Sequence, residues 1–337
     1  MEPREHQLET IAGHGILKSL IRGLMEKNQV PHAMLFHGPE GIGKKSTAFA
    51  VAKYINCQGE RGARACRCSI CSKISRGAFV DLTILEPEGP ARVIKIDKIR
   101  QIHDSAYITP IEGEKKVVLL FQADRMSLGA ANSLLKILEE PPRHLILILT
   151  TNNPHNLLPT TRSRCMPFRF SPLPTPELRT WLMKSHGTDE ALAEVAALLS
   201  EGRPGPALEI SAGDFRRRRE EMIKELDLLK YYGFPAIFRV ADRIASRVGK
   251  LNVSLNDLLI WHRDLLVSRL APEESHLLVN KDMAEMLAER SANSSVSGLF
   301  ESFKSLLDKQ PLSRRIIHTQ LALLVLLMEI GASQKKA

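Results

Sequence analysis

One stretch, Gly38-Pro-Glu-Gly-Ile-Gly-Lys44, constrains this chain more than any other. It follows the apolar pentad Ala33-Met-Leu-Phe-His37 and opens a helix-forming run from Lys44 to Ile55. Strand, glycine-rich turn and helix in that order form a phosphate loop, in which backbone N–H groups and the helix N-terminus cradle phosphate while the lysine neutralises it. The motif predicts Gly38, Gly41, Gly43 and Lys44 as phosphate-binding residues, with ATP or ADP as the expected ligand. On these residues alone, a ligand-free strand-to-helix turn competes with that reading.

The segments around the loop alternate. Residues 1–32 carry helical spacing at Leu17, Leu20, Ile21 and Leu24, and Pro31 closes the segment. Asp81–Glu86, Val117–Phe121 and Leu145–Thr150 read as strands, with helices at Ile94–Tyr107 and Ala130–Glu139 between them. Strands that are apolar throughout are buried on both faces, so the pattern predicts an α/β domain built on a parallel sheet with helices on either side. The texture changes near Pro167, and Ser171-Pro-Leu-Pro-Thr-Pro176 reads as a linker. Beyond it the patterns are helical at Glu177–Ser185, Asp189–Ser200, Phe215–Tyr231, Phe234–Val248, Leu255–Leu270, Lys281–Ala292, Val296–Lys309 and Ser313–Ile330, with no strand expected. Trp181 and Trp261 fall on apolar helix faces and are expected in the core.

The residues flanking the loop lysine are wrong for hydrolysis. A phosphate-loop enzyme places Ser or Thr after the lysine to ligate magnesium, and here the residue is Lys45. An ammonium has three donors and no lone pair, so it repels the ion. At the end of the Val117-Val-Leu-Leu strand, where acids belong, stand Phe121 and Gln122; neither holds a metal's water shell or accepts a proton from attacking water. Asp124, three residues beyond Phe121, is expected to cap the following turn. The chain is therefore expected not to hydrolyse ATP, while binding of a nucleotide or phosphate at the loop stays open.

Four of five cysteines, Cys57, Cys66, Cys68 and Cys71, fall within fifteen residues. The N-terminus shows no apolar export segment, so a disulfide framework is not expected and an intracellular location is. Four clustered thiolates suit a closed, structural tetrahedral zinc site, against free or partly oxidised thiols. The longest late apolar run, Leu321–Met328, is far short of the roughly 18 residues of a membrane span. Lys and Arg number 47 against 38 acids, an excess that favours nucleic acid or an acidic partner without identifying either. Arg61, Arg64, Arg67 and Lys73 lie beside the cysteines as a DNA contact or a solvated face. In Arg216-Arg-Arg-Arg219, followed by Glu220 and Glu221, i,i+4 pairing favours a solvated face.

Pro31-His-Ala-Met-Leu-Phe-His-Gly-Pro39, Ala123-Asp-Arg-Met126, Ala130-Ala-Asn-Ser-Leu-Leu-Lys-Ile-Leu-Glu-Glu-Pro-Pro142 and Ser163-Arg-Cys165 together resemble the bacterial clamp-loader branch of the AAA+ family, and in particular its subunits without a working ATPase. The likeness is close over residues 11–170 and extends in length and class only beyond them. It implies a phosphate-loop AAA+ domain at 1–168 carrying an inserted cysteine module at 57–71, a helical lid at 169–211 and an all-α collar at 212–337. It also implies a place in a five-subunit DNA polymerase III clamp loader with motor subunits and a delta subunit, which loads a sliding clamp on primed DNA in the cytoplasm. Arg164 resembles the arginine finger that reaches a neighbour's ATP; without the family context it reads as a surface salt bridge beside a core Cys165. Thr151 and Asn152 occupy the place of the first sensor, and Gly205, in Gly202-Arg-Pro-Gly-Pro-Ala-Leu208, stands where motor subunits carry a sensing arginine, with Arg203 two positions early. The family's cysteine spacing is C-x8-C-x2-C-x2-C, whereas Cys66-Arg-Cys68 here is one residue shorter. Two other functions stay open on the sequence: an active clamp-loader ATPase and a stand-alone DNA-binding zinc protein.

Overall fold

Strand β1 (Ala33–His37) places Met34 and Phe36 on one side and Ala33 and Leu35 on the other, and both pairs are fully buried. That two-sided burial organises the first part of the chain. In a computed structural model of the protein, the described residues are 8–59, 66, 68–89, 91–211, 219–224, 226 and 251–309. They divide into two compact units, Met1–Leu178 with Gly202–Gly205, and Arg179–Glu201 with Pro206–Ala337.

The first unit holds a five-stranded sheet in the order β2-β3-β4-β1-β5, with β2 at Leu82–Leu85, β3 at Lys116–Leu120, β4 at Leu145–Thr151 and β5 at Met166–Arg169. Every neighbouring pair is parallel. Helices α1 (Gly15–Glu26), α2 (Lys44–Asn56) and α3 (Ser69–Arg76) pack on one face, with Ile21, Val51 and Ile74 against Phe36, Leu119 and Ile148. Helices α4 (Ile96–Ala106) and α5 (Leu128–Glu139) cover the other, with Ile99, Ile102, Leu134 and Ile137 against Leu35, Leu120 and Leu147. The central strands β1, β3 and β4 are thus buried on both faces, as their apolar composition predicts, whereas the edge strands β2 and β5 are partly exposed.

The strand at Met166–Arg169 was not expected, because Pro167 argues against a strand. β5 tolerates it as an edge strand, hydrogen-bonded only to β1. The cysteine segment likewise folds into α3, and the lid motif contains α9 (Pro204–Ser211), neither of which the periodicity reveals. Short helix α6 (Pro159–Ser163) leads into β5.

The second unit is helical in its described residues. Helix α7 (Thr175–His186) runs into it, followed by α8 (Glu190–Leu199), α10 (Leu251–Leu270), α11 (Ala284–Ala292) and α12 (Val296–Lys309). Leu258, Trp261, Leu265, Leu287 and Leu306 form its core. Trp261 is buried as expected, whereas Trp181 is half-buried, its ring edge-to-face with His186 with centroids 4.6 Å apart, outside the core the sequence assigned to it. The predicted helices at Phe234–Val248 and Ser313–Ile330, and all of Phe215–Tyr231 except 219–224 and 226, lie outside the described residues, as do Arg61, Arg64, Arg67, Arg216, Arg217 and Leu321–Met328. Among the described residues, no helix is long and apolar enough to cross a membrane.

Candidate functional site

Parallel strands present their C-terminal ends together, and the loop between β1 and α2 lies at that end. Gly38 has φ 146° there, and a Cβ on it would meet the Phe170 carbonyl oxygen at 2.1 Å, so only glycine fits. Lys44, the first residue of α2, is 6% exposed and donates all three ammonium protons: to Gly38 O and Pro39 O at 2.6 Å each, and to Asn152 Oδ1 at 2.9 Å. Desolvation pulls its pKa down to about 8, against the opposing pull of Glu40 and Asp124. The sequence-predicted Gly38, Gly41, Gly43 and Lys44 are thus together in one turn, with the lysine turned onto the loop's own carbonyls.

The segment at 202–205 docks on this loop. Gly205 N–H donates to Gly41 O at 2.8 Å, and a Cβ at Gly205 would stand 3.0 Å from that oxygen and 3.1 Å from Gly41 Cα. A side chain there has no room to turn without moving the loop. Arg203 is buried, at 4% exposure.

Lys45 points away from the loop lysine's partners. Its Nζ donates to Glu86 Oε1 at 2.8 Å and lies 4.7 Å from the centroid of Phe121. Two of the departures from a hydrolytic motif, Lys45 and Phe121, therefore touch each other. Thr150 Oγ1 accepts from Gln122 N–H at 3.2 Å, and Thr151 Oγ1 donates to Asp124 Oδ1 at 2.7 Å. Asp124 thus braces the end of β4, where a turn cap was expected. Glu86 and the Asn152–Lys44 bond escaped sequence reasoning, because each joins segments far apart in the chain.

Arg164 lies two residues before β5, which runs parallel to β1. It is therefore at the N-terminal end of the sheet, about 20 Å from the phosphate loop at the usual ~3.3 Å per strand residue. A guanidinium at that distance does not serve its own chain's loop. Its Nη2 pairs with Glu139 Oε1 at 2.8 Å and its Nη1 donates to Thr160 O at 3.1 Å, with the side chains 36% and 50% exposed at Arg164 and Glu139. Cys165 beside it is buried, and desolvation pushes its thiol up to about 12, out of reach of ionisation near neutral pH.

The cysteines converge despite the shortened spacing. Cys57 ends α2, Cys68 caps the N-terminus of α3 and accepts from Cys71 N–H at 3.5 Å, and Cys66 Sγ lies 3.3 Å from Cys57 Sγ. All four Sγ atoms are within 4.8 Å of one another. A tetrahedral zinc with Zn–S of about 2.3 Å sets its sulfurs roughly 3.8 Å apart, so the four fit one ion. Burial pushes the Cys57 thiol up to about 11 and raises Cys71 further. At Cys68 burial acts in the same sense, but the N–H groups of Cys71 and Gln58 outweigh it and bring the thiol down to about 6. Lys73, on α3, is paired with Glu112 at 2.8 Å rather than forming a free basic face.

This chain is similar to known proteins. The family described as DNA polymerase III, delta subunit, matches residues 13–174. The delta' subunit of DNA polymerase III from Bacillus subtilis is 29% identical over 321 residues, covering 93% of this chain and 95% of that one. The delta' subunit from Pseudomonas aeruginosa is 37% identical over 200 residues, 58% of this chain and 60% of that one. Tau and gamma subunits of DNA polymerase III match as well. Among solved structures, a DNA polymerase III gamma subunit-related protein from Thermotoga maritima shares the fold, with a TM-score of 0.50 and 22% identity over 94% of this chain and 99% of that one.

Proposed function

We propose for this chain, which belongs to the DNA polymerase III delta-prime family of clamp-loader subunits, the role of a non-hydrolysing subunit that completes a neighbour's ATP site with Arg164. The observation that carries the first half is the 4.7 Å contact between Lys45 and Phe121. Cation and ring stand where a phosphate-loop enzyme needs a magnesium-binding hydroxyl and an acid, and neither side chain supplies a lone pair to a metal. The phosphate loop and Lys44 would hold the phosphates of ATP or ADP, and the nucleotide would stay intact.

The second half rests on where Arg164 stands. Its guanidinium is at the far end of the sheet from its own loop and half-exposed, held by one carboxylate and one carbonyl. An exposed pair of this kind contributes about 0–1 kcal/mol, so release from Glu139 toward a neighbouring subunit costs little. Against charge developing on a γ-phosphate, a positioned arginine is worth on the order of 10³–10⁵ in rate. The gain exceeds the cost by several kcal/mol. Four cysteines hold a structural zinc; residues 1–168 form the AAA+ domain with the 57–71 insertion, 169–211 the lid and 212–337 the collar. The partners are motor subunits and a delta subunit in a five-membered ring that loads a sliding clamp on primed DNA in the cytoplasm.

Reconstitution with motor subunits tests this reading. With Arg164→Ala, DNA-stimulated turnover at the site it faces is expected to fall about 10³-fold or more, and an unchanged rate removes the role in trans. Magnesium-dependent ATP turnover by the chain alone at about 1 s⁻¹ or above favours an active motor instead. Salt-sensitive DNA binding by the isolated chain that vanishes on chelation favours a stand-alone DNA-binding zinc protein.

A further inference from the structure

Three segments distant in sequence meet beside the phosphate loop: Lys45 on α2, Glu86 just past β2 and Phe121 just past β3. A divalent ion does not fit among them. Phe121 is buried and offers only its ring face, and Lys45 sets a positive charge against that face. Glu86, the one carboxylate of the three, already accepts from the Lys45 ammonium at 2.8 Å. A metal entering here would displace that ammonium from its carboxylate and then be repelled by it. What the three side chains build is a seat for a monovalent organic cation that the chain itself carries.

We infer that Lys45 is the built-in counter-ion of the phosphate loop, so that a nucleoside di- or triphosphate is held there without a divalent metal. This rests on reading the loop as a nucleotide site and names how that site balances its charge. Lys45 directly follows the loop lysine on the first turn of α2, within a side chain's reach of the loop. Lys45 and Glu86 are 47% and 50% exposed, and pairs so exposed are readily rearranged, which frees the ammonium to swing onto an arriving phosphate. Lys44 supplies the second positive charge. Its three acceptors include the neutral carbonyls of Gly38 and Pro39, which phosphate oxygens replace with charged ones, a stronger type of hydrogen bond. Two ammonium groups and a helix N-terminus then face the polyphosphate.

The test is equilibrium binding of ADP and ATP to the full-length chain by titration calorimetry, in excess EDTA and in excess magnesium. The wild-type dissociation constants are expected to agree within about twofold between the two conditions, because Lys45 and Phe121 offer no lone pair to a metal and Glu86 is held by Lys45. Lys45→Thr is expected to weaken binding in EDTA by about tenfold, and Lys45→Arg to retain it, because charge and not shape is required. Wild-type binding that requires magnesium overturns the inference, as does a Lys45→Thr variant that binds as tightly as wild type in EDTA. Absence of ADP and ATP binding in both conditions also overturns it, leaving the loop closed by Lys44 and Gly205. None of these three outcomes touches the role of Arg164, which the reconstituted ring tests separately.

Discussion

The phosphate loop and the cysteine module depart from their motifs in opposite ways. The loop keeps its spacing and its backbone, down to a glycine at φ 146°, and loses the side chains of a hydrolase. The module keeps its four cysteines and loses a residue of spacing, yet its sulfurs come within 4.8 Å of one another. Spacing therefore reports the backbone path, and residue type reports the chemistry. A short spacer is absorbed because Cys57 and Cys68 are anchored at the ends of two helices while Cys66 sits between them. A missing hydroxyl has no such remedy, since no backbone adjustment gives an ammonium a lone pair.

The largest expected effect that tests this contrast is at the cysteines. Purified protein is expected to carry about one zinc per chain, and Cys71→Ser to carry almost none, with an unfolding midpoint lowered by several degrees; structural zinc contributes up to about 10–16 kcal/mol in zinc-finger peptides, an upper bound for a module in a larger domain. Metal analysis of the variant checks it, and full zinc retention would break the comparison. Next comes Asp81, whose carboxylate accepts from the N–H groups of Ile111, Glu112 and Gly113 at 2.7–3.0 Å and so pins the loop whose Glu112 pairs with Lys73 on the module's α3. Asp81→Ala is expected to cost about 3 kcal/mol in urea unfolding, since three backbone donors lose a charged acceptor.

Asp81 also carries a pH signature. Burial alone would raise its carboxyl, but the three N–H donors and Lys116 outweigh it and hold the pKa below the ordinary 3.8. The stabilisation is complete above pH 3.8, the unfolded value, and is lost as pH falls through the lower folded value. Unfolding measured from pH 5 downward is expected to show an acid-dependent loss in wild type that Asp81→Asn lacks. At the loop, Gly205→Ala is expected to destabilise by about 1–2 kcal/mol, because the new methyl presses on the Gly41 backbone at 3.0 Å. A neutral result in denaturant would mean that the 202–205 segment does not hold the loop. The smallest effect is at Lys45→Ala, within about 0.5 kcal/mol of wild type, as expected for an exposed pair; a larger loss would show that Lys45 is structural.

Much of this was legible in the linear order of residues. The four strand-like runs and the glycine turn locate β1, β2, β3, β4 and the loop to within a residue or two, because helical and strand periodicities are local properties. β5 was hidden by Pro167, since a sequence does not declare which strand will be at an edge. Asp124 reads as a cap from its neighbours alone, and only the β3–β4 register brings Thr151 to it. Trp181 has an apolar helical context and is nevertheless half-buried, because helical periodicity marks a face without saying how much of that face is covered.

From its sequence alone this chain has a phosphate-loop backbone, no magnesium-binding hydroxyl, no acid at the end of β3 and four thiols in one short segment. These are facts of residue identity and local spacing, and folding cannot alter them. The tertiary structure decided the partners: Lys45 against Glu86 and Phe121, Lys44 against Asn152, Arg164 against Glu139, and Gly205 against Gly41. Each joins residues from separate segments, and those meet only once parallel strands have chosen their neighbours and register, a choice made by packing the whole sheet and not by any stretch of the chain.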